Sequence, residues 1–326
     1  MSLGEFELIK RFFAPLTEAS SDASVVLGVG DDCAILNVPD QHQLVLSIDT
    51  LVEGTHFLPD TPAEHLASRL FGAAMSDLAA MGATPAWLTL GLTLPESDIN
   101  WLQSFSTKLG QLCREYQINL IGGDTTKGPL ALTAQVHGFV PTGKALRRTG
   151  AQVDDLICVS GYLGDSRGGL EGLLNGFPDQ SAAEYLHKRF YAPSPQIELG
   201  QSLLNKASSA IDISDGLLSD LAHILNSSGN LGARLQLEAI PLSPQLVQSF
   251  GEEKARQWAL TGGEDFELCF TLPPQALAQL AQLPAPVAVI GKVTEDTDLQ
   301  LFLRGELCEI SGSGYDHFRN SGQVSE

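Results

Sequence analysis

The sequence predicts an α/β (α+β) chain of two domains, on three observations. It has 326 residues, and at roughly 150 residues per domain that length favours two domains, each able to bury a core. Apolar runs of strand length alternate with helical periodicity from end to end, which argues against a bundle or a sandwich. Hydrophobic residues make up 43% and charged residues only 18%, so the chain folds even though its net charge is −20.

Val25–Val29 and Leu44–Ile48 are apolar, β-branched runs that predict strands, each followed at once by acidic residues. Thr61-Pro-Ala-Glu64 has the spacing of a capping box with proline at the first helical position, and predicts a helix running to Met81 and stopping at Gly82. Trp87–Leu94, Asn119–Ile121 and Leu130–Val140 predict strands, with a helix over Ser97–Tyr116. Around Pro141–Gly150 the texture changes to Pro, Gly and a small basic cluster of Lys144, Arg147 and Arg148, which sets the expected boundary between residues 1–148 and 149–326. The second half restarts with a strand at Leu156–Ser160 and continues with further strands at Ala210–Ile213, Ala233–Leu237, Phe266–Leu272 and Val287–Ile290. Helices are expected near Asp165–Leu174, Pro195–Ala207 and Leu217–Leu225.

With 19 Lys plus Arg against 39 Asp plus Glu, no basic face can form, which argues against nucleic acid and against an anionic membrane surface. No apolar run approaches the ~20 residues needed to span a bilayer, and the amino terminus lacks the basic start and apolar stretch of a signal peptide. The five cysteines, Cys33, Cys113, Cys158, Cys269 and Cys308, are widely spaced and never in a CxxC pair. They read as reduced thiols in a cytoplasmic protein.

Aspartates recur at or near the ends of apolar segments: Asp31-Asp32, Asp49, Asp77, Gly122-Gly-Asp124, and Asp212-Ile-Ser-Asp215-Gly216. Taken singly, each is ordinary turn chemistry. Asp77 is different, because it falls inside the predicted helix beside Ala73, Ala74 and Leu78, where an uncompensated carboxylate is costly to bury. Few Lys or Arg lie near these aspartates in sequence, so a divalent cation is the expected countercharge. Oxygen donors without a His or Cys cluster point to Mg2+, Mn2+ or Ca2+, and magnesium, which keeps phosphate oxygens in its shell, points on to a nucleotide.

Gly138-Phe-Val-Pro-Thr-Gly143-Lys144 has the spacing of a P-loop, but Ala145 replaces the hydroxyl that would hold Mg2+ and no helix pattern follows. Gly28-Val-Gly30 runs into Asp31-Asp32-Cys33, so a Rossmann fingerprint is absent too. His56, Glu264 in Gly262-Gly-Glu-Asp265, and Arg148 each have a bland alternative as loop or linker residues.

In order along the chain, Val29-Gly-Asp-Asp-Cys-Ala-Ile, Ser47-Ile-Asp-Thr-Leu-Val, His56-Phe, Met75-Ser-Asp-Leu-Ala-Ala-Met-Gly, Ile121-Gly-Gly-Asp-Thr-Thr, Ala210-Ile-Asp-Ile-Ser-Asp-Gly-Leu, Thr261-Gly-Gly-Glu-Asp-Phe-Glu-Leu and the closing Gly314-Tyr-Asp-His-Phe resemble the thiamine-monophosphate kinase family. The wider superfamily holds the aminoimidazole-ribonucleotide and selenophosphate synthetases. The resemblance implies the two-domain aminoimidazole-ribonucleotide synthetase-like fold, with the N-terminal sheet pairing across a homodimer. It implies ATP-dependent phosphorylation of thiamine monophosphate to thiamine diphosphate. Position by position it implies that Asp32, Ser47, Ile48 (through its main-chain carbonyl), Asp49, Asp77, Asp124, Asp212 and Asp215 hold several Mg2+ ions. Gly123, Asp124, Arg148 and Ser214 would contact ATP, and His56, Glu264 and Tyr315 would contact the thiamine moiety. No general base is expected, because the acceptor is a phosphate monoester already unprotonated near neutral pH. The rival readings are another ATP-using synthetase of the superfamily and a non-catalytic Mg-nucleotide-binding scaffold.

Overall fold

The computed structural model describes residues 4–18 and 24–308. The chain divides into two units: the first runs to Leu146 and includes Tyr191–Asn205, and the second comprises Arg147–Phe190 and the chain from Lys206 onward.

The first unit opens with a helical segment, α1 (Glu5–Leu8), a π-helical turn at Ile9–Phe13 and α2 (Ala14–Glu18). A short hairpin, β1 (Val25–Leu27) with β2 (Ile35–Leu36), precedes β3 (His42–Val52), α3 (Ala63–Ala80), β4 (Thr84–Leu94), α4 (Ile99–Glu115), β5 (Asn119–Lys127) and β6 (Ala131–Pro141). The last four strands form one sheet in the order β3-β6-β4-β5. Leu66, Leu70, Ala74 and Leu78 of α3 and Leu102, Phe105 and Leu109 of α4 recur at helical spacing and are buried. They meet the face of the sheet that carries Leu88, Leu90, Leu132, Ala134 and Val136, also buried. On the other face Trp87 packs edge-on against Phe139, with ring centroids 4.9 Å apart, and Val25 and Leu36 of the hairpin lie against this pair.

Two local expectations are corrected, and one rejection holds. The capping box does not form: Pro62 is the N-cap of α3 without a side-chain cap bond. Thr61 Oγ1 instead donates to the Leu58 carbonyl at 2.7 Å, and Glu64 accepts from Ser104 Oγ at 2.7 Å. The strand predicted over Asn119–Ile121 continues to Lys127, so Gly122-Gly123-Asp124 lies within a strand and not in a turn after one. The P-loop-like segment begins inside β6, which removes any resemblance to a phosphate loop.

Tyr191–Asn205 belongs to the first unit through α7 (Ile197–Leu203). A Cβ at Gly200 would lie 2.0 Å from the Ala79 carbonyl oxygen, and Tyr191 stacks on His65 with centroids 4.6 Å apart. No break in composition marks this return.

The second unit contains β7 (Leu156–Ser160), α5 (Asp165–Asn175), α6 (Gln180–Tyr191), β8 (Ser209–Asp212), α8 (Leu217–Ser227), β9 (Gly232–Gln236), α9 (Pro244–Phe250), α10 (Glu252–Thr261), β10 (Leu268–Leu272), β11 (Val287–Thr294), β12 (Leu299–Leu303) and β13 (Glu306–Cys308). Its sheet runs β13-β12-β9-β11-β7-β10-β8 and is antiparallel except where β12 pairs with β9. α6, α9, α10, β12 and β13 were not foreseen from the sequence. The core gathers Ile157, Val159, Leu221, Ile224, Leu235 and Ile290.

Beside that core sits a buried ionic knot. Asp265 receives the Gly164 and Ser166 amides at 2.6 and 3.1 Å, which satisfies two donors at the N-terminus of α5. Arg189 donates to Glu267 at 2.9 Å and lies 3.7 Å from Asp165. Tyr185 and Ser243 donate to Asp165 at 2.6 and 2.5 Å, and Ser160 donates to Glu267 at 2.6 Å. One guanidinium faces three carboxyls, and burial raises all three above their ordinary range. Asp265 is pushed up to about 7, burial outweighing the Gly164 amide and Arg189.

A pH dependence of stability follows. The folded value for Asp265 lies above the ordinary 3.8, so the folded state holds this proton more tightly than the unfolded chain does. Its stabilisation is complete below the ordinary value and is lost as pH rises through about 7. Asp265→Asn, which has no proton to lose, should therefore gain melting temperature relative to the unsubstituted protein between pH 5 and pH 8. Thermal melts at both pH values check this, and a constant difference would contradict it.

Candidate active site

β3 is an edge strand with two different faces. Leu44, Leu46 and Ile48 project to the side away from α3 and are 41%, 56% and 60% exposed. Ser47 and Asp49, one residue out of phase, face α3. There Ser47 Oγ donates to Asp77 Oδ2. Asp49 is pushed up to about 6, first by burial and then by the Asp77 charge. These three oxygen-bearing side chains, expected from the sequence as cation ligands, are brought together. Ile48 can contribute only its main chain, since its side chain points to the opposite face.

Asp32 and Asp124 are placed elsewhere in the same unit. The β1–β2 turn carries Asp31 and Asp32, with the Asp32 amide donating to Asp31 Oδ1 at 2.8 Å. Both line a cavity of about 440 Å³ with Gly122, Gly123 and Asp124, and with Ile9 and Phe13 among its apolar walls. Gly123 is required here, because a Cβ would lie 2.0 Å from the Leu90 carbonyl oxygen. Strand register runs Asp49, Ala134, Leu90, Gly123 in one row, and Thr50, Thr133, Gly91, Asp124 in the next. Asp124 therefore lies on the opposite face from Asp49 and three strand spacings away, about 14 Å. Within one chain, Asp49 and Asp77 form one group, and Asp31, Asp32 and Asp124 line another.

His56 closes the turn after β3. Its Nδ1 accepts the Val52 amide at 3.0 Å, and its carbonyl accepts Arg69 Nε at 3.0 Å. Arg69 is 1% exposed and was missed in the sequence. The available signal was a lone arginine within the apolar periodicity of α3.

In the second unit, two loops are laced together by their backbones. The Glu264 amide donates to the Ser214 carbonyl at 2.8 Å, and the Phe266 amide donates to the Ile213 carbonyl at 2.9 Å. Glu264 itself takes φ +67°, a conformation uncommon for a residue with a Cβ. Asp212 is buried at the end of β8. Asp220, also unforeseen, accepts the Ser214 and Asp215 amides at 3.1 Å each. Burial pushes it up to about 7, with Arg148 acting in the opposite sense. Thus Arg148, Ser214, Asp215 and Glu264 gather around one loop pair that Asp220 holds in shape. Tyr315 lies outside the described residues.

The donor set tests the fit of magnesium. Ser47, Asp49 and Asp77 offer hard oxygen only, and burial followed by the Asp77 charge raises Asp49, a cost that a cation would relieve. Among the described residues no three His, Cys, Asp or Glu side chains converge as a ready metal cage.

The sequence was compared with known proteins. Residues 30–140 match the family model "AIR synthase related protein, N-terminal domain", and residues 156–304 match the corresponding C-terminal domain. The chain is 50% identical over 325 residues to the thiamine-monophosphate kinase of Escherichia coli (strain K12), covering 98% of this chain and 99% of that one. Among solved structures, the thiamine-monophosphate kinase of Stenotrophomonas maltophilia K279a superposes with a TM-score of 0.84 at 39% identity, over 94% of this chain and 99% of the other. "AaThiL complexed with AMPPCP and TMP" superposes with a TM-score of 0.77 at 29% identity, over 98% and 99%. The chain belongs to the thiamine-monophosphate kinases, within the AIR synthase related family.

Proposed function

We propose that this chain transfers the γ-phosphoryl group of ATP to the phosphate of thiamine monophosphate, giving thiamine diphosphate and ADP. The observation that carries the reading is the Ser47–Asp49–Asp77 group, three hard-oxygen side chains in which burial and the Asp77 charge raise Asp49, a cost that a bound cation would relieve. Its near full-length relatives are thiamine-monophosphate kinases, and one of them is described in complex with AMPPCP and TMP.

Asp49 and Asp77, with Ser47 and the Ile48 carbonyl, would hold Mg2+. Asp32, Asp124, Asp212 and Asp215 would hold further ions. Bound there, the cations would neutralise the anionic donor and acceptor, whose mutual repulsion is about 4 kcal/mol per pair of unit charges at 4 Å and an effective dielectric of ~20. Gly123, Arg148 and Ser214 would contact ATP. His56, Glu264 and Tyr315 would orient the thiamine moiety. The attacking phosphate oxygen needs no base, because a phosphate monoester loses its second proton near pH ~6. Positioning and charge neutralisation therefore carry the catalysis. In this division residues 1–148 supply most of the metal and ATP contacts together with the dimer contact, and residues 149–326 form the second α/β domain and add Asp212, Ser214 and Asp215.

We place the dimer contact on the bare face of β3. Leu44, Leu46, Ile48 and Val52 stand exposed along one strand, a row that a second copy of the same sheet would cover. A cytoplasmic location is supported by the free cysteines and by the absence, among the described residues, of a helix long and apolar enough to cross a membrane.

Incubation with Mg-ATP and thiamine monophosphate, followed by phosphate-resolved chromatography, should show thiamine diphosphate. ATP bound without turnover, or a different phosphorylated product, would overturn the assignment. Asp77→Asn should lower kcat by about a hundredfold or more while leaving the melting temperature close to that of the parent, since it removes charge neutralisation needed in the transition state. Near-parental turnover would exclude Asp77 from the metal group. For the dimer, Leu44→Glu combined with Leu46→Glu should halve the mass seen by light scattering. An unchanged dimer would move the interface off β3.

A further inference from the structure

We infer that the Val52 amide and Arg69 are positioning groups that hold His56 as a neutral imidazole with its proton on Nε2, so that it serves the thiamine moiety as a hydrogen-bond donor. The inference rests on the reading that His56 contacts that moiety and adds how it does so.

The turn that ends in His56 is rigid for reasons visible in its hydrogen bonds. The His56 amide donates to the Val52 carbonyl at 2.9 Å, and the Gly54 amide donates to the Phe57 carbonyl at 2.9 Å. Gly54 takes φ +77°, which residues with a Cβ seldom adopt, and Phe57 is 3% exposed, anchoring the far side. Inside this turn the Val52 N–H reaches back to His56 Nδ1 at 3.0 Å. A backbone amide can only donate, so Nδ1 must present its lone pair, and the neutral ring then carries its hydrogen on Nε2. Placing a proton on Nδ1 would oppose two N–H groups and forfeit the bond. The second tautomer and the imidazolium are disfavoured by the same contact.

Arg69 acts one step back. It comes from the buried side of α3, is 1% exposed, and gives Nε to the His56 carbonyl at 3.0 Å. A charged donor makes this bond stronger than a neutral one would be. It holds the main chain from which the imidazole projects, so the ring can neither turn over nor swing away without breaking contacts at both ends. The ring that results offers a donor at Nε2 and no lone pair there, which suits orientation of an acceptor atom and excludes proton abstraction at that nitrogen.

The full chain labelled with 15N-histidine should show, at a pH where the ring is neutral, a single Nε2–H pattern for His56 in two-bond proton–nitrogen correlation, assigned by its loss in His56→Gln. A Nδ1–H pattern, or the mixture of tautomers an unconstrained imidazole shows, overturns the inference. Two substitutions then read the donor in turnover. Asn places its amide oxygen where Nδ1 accepts from Val52 but offers nothing at the Nε2 position, whereas Gln reaches that position with an N–H. His56→Asn should raise KM for thiamine monophosphate about five- to tenfold at nearly constant kcat, the scale of one neutral hydrogen bond, and His56→Gln should stay within about threefold. Equal KM values for the two variants overturn the donor role. If the Nε2–H pattern is nevertheless present, the failure lies in the substrate contact and not in the tautomer. Arg69→Lys, which keeps the charge without the planar fork, should raise KM in the same direction, and an unmoved KM removes Arg69 from the arrangement.

Discussion

Carboxylate charge without enough cation is the constraint on which both units are built. The chain carries 39 acidic residues against 19 Lys plus Arg, and several of the acids are buried. In the second unit a single Arg189, three hydroxyl donors and two amides at the N-terminus of α5 are arranged around Asp165, Asp265 and Glu267. The compensation is internal, and what remains uncompensated shows as carboxyls held toward their protonated form. In the first unit Asp77 accepts the Ser47 hydroxyl, and burial followed by the Asp77 charge raises Asp49. The same physics thus separates a structural knot from a site. In the second unit the donors around the acids stabilise a loop pair, and in the first unit burial and the neighbouring Asp77 charge hold Asp49 toward its protonated form.

The geometry of β3 makes that poise possible. A strand alternates its faces, so one edge strand can direct Ser47 and Asp49 at α3 while directing Leu46 and Ile48 away from it. The alternation ties the two rows together, since any shift of register by one residue would exchange the faces of the acids and the leucines. The long pairing with β6, from His42 to Val52, holds this register. Across the same sheet, register also sends Asp124 to the opposite face and the far edge. The acids that read as one set in sequence are therefore two sets in space.

Much of the site was legible because its chemistry is local in sequence. Ser47 and Asp49 are two residues apart, and Asp212, Ser214 and Asp215 fall within four consecutive positions. Asp77 was legible from helical periodicity, because a carboxylate on an apolar helix face demands an explanation that few bland readings provide. Arg69 raised the same question and was passed over, since its partner, the His56 carbonyl, is a main-chain atom that no residue pattern reveals. The capping box failed for a related reason: Ser104, far along the chain, competes successfully for Glu64.

By itself the sequence determined the α/β class, most strand and helix positions, the acidic character of the site and the family. These depend on periodicity, composition and short motifs, which are properties of neighbours along the chain. Only the tertiary structure decided which acids share a face, that Gly122-Gly123-Asp124 lies within a strand, and that Tyr191–Asn205 returns to the first unit through the close approach of Gly200 to Ala79. It also decided that His56 Nδ1 meets the Val52 amide. Register, close backbone approach and hydrogen-bond direction are relations between segments distant in sequence, and they exist only once the chain has packed.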